Sequence, residues 1–125
     1  MTDKRRLVIE LNHLPPSVLN LNARVHWAVR HQATSDAKEE VGWLAKIQWK
    51  DEKPMMKARI TYKFFSKDQR RRDIDNLQTA MKFCPDSLIE VGALFYDDAE
   101  HLTFGISSLT TDTEDRTIIS VEEIE

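Results

Sequence analysis

The sequence contains one cysteine, Cys84, and no apolar run that approaches the length of a membrane span. A single cysteine cannot form an internal disulfide, which is typical of a reducing compartment. A transmembrane helix needs about 20 predominantly apolar residues, so we expect no contact with a membrane. The basic N-terminus precedes an apolar stretch that is too short for a signal peptide. The sequence therefore predicts a cytoplasmic location.

Zinc motifs are missing as well. Neither C-x-x-C nor H-E-x-x-H occurs, and the four histidines show no ligand spacing. Repeats and low-complexity segments are also missing, while 41% hydrophobic and 31% charged residues are typical of a soluble globular protein. We expect one domain over residues 1–125.

Charge is distributed unevenly along the chain, although the net charge is only −3. Residues 1–82 contain 17 Lys and Arg against 10 Asp and Glu, whereas residues 83–125 contain one Arg against 11 acids. A local basic surface can bind phosphates in a protein of acidic net charge. We expect the basic strand and loop residues to form a DNA surface, with the acidic C-terminal third turned away.

Hydrophobic periodicity predicts the first half of the fold. Residues Arg6–Leu11 alternate as a strand does, and residues 56–65 alternate more clearly, with Met56 on the apolar face. Between them, residues 35–49 have the spacing of a helix that opens on a capping-box pair, Asp36 and Glu39.

A second helix is predicted over residues 75–91, kinked or divided by Pro85 and stopped at Gly92. Strands follow at residues 102–106 and 117–121, with a turn at residues 110–116. The element order predicts an α+β fold, with a mixed β-sheet of about four strands and two main helices packed on it.

Carboxylates concentrate where the second helix begins. Asp73 and Asp75 are two residues apart in R-R-R-D-I-D-N, and Asp97 and Asp98 follow the helix. Helix capping explains the first pair alone, but carboxylates brought together from both pairs need a cation, and oxygen ligands suit Mg²⁺ or Mn²⁺. Lys82, seven residues after Asp75, falls on the same face of a continuous helix and can reach back towards the carboxylates.

This constellation is typical of phosphoryl transfer, in which metal ions activate water and a lysine offsets charge on the transition state. Basic residues beside it would hold flanking phosphates. The predicted DNA-binding residues are Lys67, Arg70, Arg71, Arg72 and Asn76.

The run R-R-D-I-D-N-L, a lysine-bearing helix, D-S-L-I-E-V-G-A-L and D-D-A-E together resemble the RusA family of Holliday junction resolvases. The match covers mainly residues 69–102, with a weaker one at P-P-S-x-x-N near the start. The resemblance implies a small, prophage-associated, Mg²⁺-dependent endonuclease that acts as a homodimer on four-way DNA junctions.

The resemblance also implies residue roles. Asp73 and Asp75 match the first two metal-binding aspartates, Asn76 matches the adjoining asparagine, and the third acidic ligand falls in Asp97–Asp98, with Asp98 the better match. We predict that metal ligands come from these four aspartates and that Asp73, Asp75 and Asp98 are catalytic.

The lysine of the family pattern comes four residues after the second aspartate, where this chain has Thr79. Lys82 is the expected functional equivalent and the fourth predicted catalytic residue.

We therefore expect a Mg²⁺-dependent DNA endonuclease, with Mn²⁺ as a substitute metal, that resolves Holliday junctions in recombination and repair. Two alternatives stay open: a metal-dependent phosphohydrolase acting on small nucleotides, and a junction-binding protein with weak or no cleavage. Trp43, Ile47 and Trp49 could supply a dimer interface or belong to the core.

Overall fold

The fold is α+β, with helices packed on a five-stranded mixed sheet. The computed structural model describes residues 4–20, 23–68 and 73–125. Its elements, in chain order, are β1 (Arg6–Leu11), a 3₁₀ turn (Ser17–Leu19), α1 (Trp27–Gln48), β2 (Ala58–Ser66), α2 (Ile74–Ala80), α3 (Phe83–Glu90), β3 (Leu102–Phe104), β4 (Ser108–Thr111) and β5 (Arg116–Glu123). Within the described residues, no helix is both long and apolar enough to cross a membrane.

The sheet is built around the two longest strands, β2 and β5. Its order is β1-β5-β2-β3, with β1 and β2 antiparallel to β5, and β3 and β4 both parallel to β2. β1 is therefore an edge strand, and the short β3 and β4 together form the opposite edge.

Alternating side chains give the sheet a buried face and an open one. On β2, Ile60, Tyr62 and Phe64 are buried, whereas Arg59 and Lys63 are exposed, as the period-two pattern predicts. The prediction that Met56 joins the apolar face is wrong, because β2 begins only at Ala58 and Met56 is exposed before it. The described helices pack against the buried face.

Helix α1 is eight residues longer at its start than predicted. It begins at Trp27, where the His26 ring accepts a hydrogen bond from the Ala28 N–H, so the capping box at Asp36 and Glu39 lies inside the helix and caps nothing. The apolar spacing that marks a helix starts later than the helix itself, since residues 27–36 are mostly exposed.

The second predicted helix is divided, as its proline suggested. α2 ends at Ala80 and α3 begins at Phe83, which places Pro85 in the first turn of α3, where its missing N–H costs no helical hydrogen bond. Gly92 follows α3 with a φ of 82°, the left-handed conformation that stops a helix at low steric cost.

The edge opposite β1 carries one strand more than predicted. Ser108–Thr111 pairs with the end of β2, so the turn that was predicted over residues 110–116 begins only after Thr111, two residues later than predicted. β3 pairs with β2 at a register offset of 44 residues and β4 at 45, because one extra residue bulges between them. Gly105 lies in this bulge against Thr61 and leaves no room for a Cβ atom.

In the described part of the chain, the acidic C-terminal third does not lie apart from the basic strands. β5, from the acidic third, lies between β1 and β2, where Glu123 forms an ion pair with Arg5 and Glu122 is the cross-strand neighbour of Arg59. The expectation that the acidic C-terminal third turns away from the basic strands is therefore wrong.

The three residues considered for an interface have different environments. Trp49 is buried in the core, whereas Trp43 and Ile47 are 65% and 62% exposed on α1. The exposed pair is available for contact with another molecule.

Candidate active-site cleft

A cleft of about 660 Å³ lies where α2, the start of α3 and the β3 edge meet. Apolar side chains from the sheet and α3 form part of its wall, among them Tyr62, Leu102 and Phe104. Three carboxylates and one ammonium group also line it: Asp75, Asp86, Asp97 and Lys82. Of the predicted site residues, the structure thus brings Asp75, Asp97 and Lys82 to one cleft.

The two aspartates of the first pair have different positions: one caps a helix and the other lines the cleft. Asp73 is the N-cap of α2, and its Oδ1 accepts a hydrogen bond of 2.9 Å from the Asp75 N–H. Asp75 follows in the first turn and lines the cleft, where Asp73 does not. The capping explanation therefore holds for Asp73, which is the N-cap of α2, and not for Asp75.

The second aspartate pair shows the same division. Asp98 Oδ1 accepts hydrogen bonds from the backbone N–H groups of Glu100 and His101 and from the His101 ring, and its carbonyl accepts from Leu102. These bonds, with the His101 ring as the largest cause, lower the pKa of Asp98. Asp98 thus fixes the turn before β3, and its neighbour Asp97 lines the cleft.

Lys82 reaches the cleft by a different route from the predicted one. A continuous helix would have placed it two turns beyond Asp75, but α2 ends at Ala80 and Lys82 is the N-cap of α3. The break keeps the ammonium group beside the same cleft. Thr79, at the position of the family lysine, lines the cleft from the last turn of α2.

One hydrogen bond and two buried side chains hold α2 in place. Ser107, in the segment between β3 and β4, donates its hydroxyl to the Gln78 side chain at 2.9 Å, and Leu77 and Ala80 bury the opposite side of α2 in the core. The hydrogen bond links the helix that carries Asp75 to the sheet edge that carries Phe104.

Two of the five predicted DNA-binding residues lie in the described part of the chain. Arg70, Arg71 and Arg72 lie outside the described residues. Lys67 is exposed just after β2, where its backbone N–H donates to Asp115, and Asn76 is half-buried on α2 without lining the cleft.

A second depression, of about 500 Å³, adjoins the cleft and shares Thr79, Lys82 and Asp86 with it. Arg30 lines it from α1, with its guanidinium anchored to the Ala23 carbonyl at 2.9 Å. Arg30 escaped prediction because the helix that carries it was expected to start later. Asp86 opens the run D-S-L-I-E-V-G-A-L, yet nothing in its local pattern indicates a cleft.

The electrostatics of the cleft favour a cation. Among the described residues that line it, three carboxylates face one ammonium group, an excess of two negative charges. No group of three or more His, Cys, Asp and Glu side chains in the described part of the chain could hold a metal ion. The donor set still fits Mg²⁺, which usually takes one or two carboxylates and completes its shell with water and phosphate.

Comparison with known proteins adds no family. No protein-family model matches the chain, and no curated protein matches it significantly. The resemblance to the RusA family stays a prediction that rests on the motifs themselves.

Proposed function

We propose that the protein is a Mg²⁺-dependent DNA endonuclease of the RusA type that resolves four-way junctions as a homodimer, with Mn²⁺ as a substitute metal. The observation that carries the proposal is the convergence of Asp75, Asp97 and Lys82, which are up to 22 residues apart in the sequence, on one cleft. A helix cap alone explains the sequence position of Asp73. It does not explain why one aspartate of each pair, Asp75 in the first and Asp97 in the second, lines this cleft.

Each residue has a distinct task in the proposed reaction. Asp75 and Asp97 would hold the metal ion, which when bound supplies an activated water and neutralises phosphate charge. Lys82 offsets the negative charge that develops on the phosphoryl oxygens. Asp73 and Asp98, which the resemblance places among the metal ligands, would hold α2 and the turn before β3 in position.

The rim of the cleft suits a nucleic acid. Phe104 is half exposed at the cleft wall, and base stacking on an aromatic ring contributes about 1–3 kcal/mol per base. Arg30, in the adjoining depression, can take the next phosphate along the strand. Lys67 and the three arginines that precede Asp73 extend the proposed DNA contacts.

A second candidate function is a metal-dependent phosphohydrolase on small nucleotides. The cleft volume of about 660 Å³ favours it, because small-molecule sites commonly measure about 300–1,000 Å³. The third reading, a junction-binding protein without efficient cleavage, rests on Thr79 at the position of the family lysine.

One assay separates the three readings. Labelled four-way junction, linear duplex of the same sequence and free nucleoside triphosphates are each incubated with protein and Mg²⁺ or with EDTA. The proposal expects paired nicks in the junction alone and only with Mg²⁺. Hydrolysis of nucleotides without junction cleavage would establish the second candidate, and junction binding without product would establish the third.

Lys82 gives a sharper test of the site. Lys82→Met removes the charge but keeps an apolar stem, and we expect junction cleavage to fall about 100-fold, the usual effect of losing one charge-stabilising group. Thr79→Lys in the same chain returns a cation to the cleft from α2 and should recover part of the rate. A Lys82→Met protein that cleaves at the wild-type rate would remove Lys82 from the mechanism.

A further inference from the structure

The outer edge of β1 is open. β1 pairs only with β5 among the described residues, and no described strand lies beyond it. An unpaired strand edge presents a row of N–H and C=O groups that another strand can bind. β1 has six residues, Arg6–Leu11, and its odd-numbered side chains are buried in the core.

The hydrogen-bonding pattern shows which backbone groups face outwards. The Glu123 N–H donates to the Arg5 carbonyl, so odd-numbered residues of β1 bond to β5 and even-numbered residues direct their groups to the free edge. The Val8 carbonyl has the orientation that this pattern predicts, since it accepts a hydrogen bond from the Gln48 side chain rather than from β5. Arg6, Val8 and Glu10 therefore direct their backbone groups towards a second strand, which would share the Val8 carbonyl with Gln48 through the second lone pair of that oxygen.

The charges on this edge are self-complementary. In an antiparallel pair of two β1 strands centred on Val8, each Arg6 lies opposite the Glu10 of the other copy, and the two valines meet at the symmetry axis. Cross-strand neighbours of opposite charge and of apolar character both favour pairing. Glu10 already bonds to Arg116 at 3.2 Å through one oxygen, and half of its side chain stays exposed.

The neighbouring flank of α1 supplies apolar surface beside the same edge. Glu40 bonds to His13, just beyond β1, which identifies the flank of α1 that faces this edge. Leu44 and Ile47 follow Glu40 by four and seven residues and share its flank. Ile47 is 62% exposed, an apolar side chain without a described partner at the place where a second copy would arrive.

We propose that β1 is the dimer interface: two copies pair antiparallel through β1, with Arg6 opposite Glu10, and extend the two sheets into one continuous sheet. The axis runs perpendicular to the sheet, so both α1 helices lie on the same side and meet along the flank of Leu44 and Ile47. The proposed function needs a homodimer, and this proposal gives that dimer a surface.

Charge reversal tests the pairing with its own control. Arg6→Glu alone places two glutamates opposite each other at both ends of the interface, and Glu10→Arg alone does the same with arginines. We expect each variant to raise the dimer dissociation constant at least about tenfold in sedimentation equilibrium, since two favourable contacts become two repulsive ones. An equimolar mixture of the two variants restores opposite charges and should form a heterodimer of wild-type affinity.

Glu10→Arg also breaks the ion pair between Glu10 and Arg116, so a second variant that leaves this ion pair intact is needed. Val8→Lys places two ammonium groups at the symmetry axis, on a side chain that is already partly exposed, and should also give monomers. Thr103→Lys, on the exposed side of the opposite sheet edge, is the matched control and should leave the dimer intact. Circular dichroism confirms folding of each variant.

The outcomes separate the interface from the function. A wild-type dimer that none of these variants weakens would place the interface elsewhere and leave the proposed homodimer standing. A wild-type monomer at all concentrations would overturn the interface. Junction cleavage is measured in parallel: a β1-paired dimer without cleavage would support the interface and contradict the proposed function.

Discussion

The helix cap at Asp73 allows the two aspartates of the first pair to be distinguished by stability. Asp73→Ala removes the acceptor of the 2.9 Å hydrogen bond from the Asp75 N–H. Loss of an N-cap costs about 0.5–2 kcal/mol, and a loss of about 1 kcal/mol should lower the Tm of a domain of this size by about 4 °C. Asp73→Asn should keep the Tm, because asparagine caps a helix as well as aspartate does.

Asp75 provides the matched comparison, because its carboxylate accepts no described capping bond. Asp75→Asn should leave the Tm within about 1 °C of the wild type and abolish junction cleavage with Mg²⁺. Junction binding should be kept or strengthened, since one charge that repels phosphates is removed. Thermal unfolding by circular dichroism and the cleavage assay are run on all three variants. Equal Tm values for Asp73→Ala and Asp75→Asn would refute the cap.

Three further predictions concern groups outside the cleft. Burial raises the pKa of Cys84 to about 12, so a thiol reagent at pH 8 should label it only after unfolding; rapid labelling of the native protein would contradict its burial. Burial opposes a charged His13, but the Leu14 carbonyl and Glu40 outweigh burial and raise its pKa above 6.5. Its stabilisation is therefore complete below about pH 6.5 and lost as the pH rises through the folded pKa, and Glu40→Gln should flatten this dependence in urea titrations. Gly105→Ala would place a Cβ 2.2 Å from Thr61 Oγ1 and should lower the Tm, whereas adding Thr61→Ala should recover part of the loss.

Much of the fold was predictable because side-chain periodicity follows burial. The alternation in β1 and β2 and the proline inside the second helical segment each gave the correct element. Gly92 also marked the end of α3 correctly. These are local signals, and each depends on a few neighbouring residues.

The errors came from contacts between distant segments. β4 is a short strand of largely exposed residues, so it has no periodicity, and it exists because β2 continues past β3 and offers it an edge. The charge asymmetry misled for the same reason, because β5 is inserted between β1 and β2 and its glutamates meet basic partners.

The candidate site was predictable in residue type more than in residue role. The sequence identified both aspartate pairs, but it could not tell which member of each pair makes backbone hydrogen bonds and which faces the cleft. That distinction depends on the start of α2 and on the turn at Asp98, each set by tertiary packing. Lys82 lines the cleft because the helix breaks before it, whereas the sequence prediction placed it on the same face of one continuous helix as Asp75.

The most direct test of the central claim compares junction cleavage by Asp97→Asn and Asp98→Asn. The two residues are adjacent and the chemical change is the same, but only Asp97 lines the cleft. With saturating Mg²⁺, we predict no product from Asp97→Asn and paired nicks from Asp98→Asn, at a rate within about tenfold of the wild type, the lower end of the usual effect of losing an outer-shell partner of a metal site. Wild-type cleavage by Asp97→Asn, or no cleavage by the wild type itself, would contradict the assignment of this cleft as a metal-dependent nuclease site.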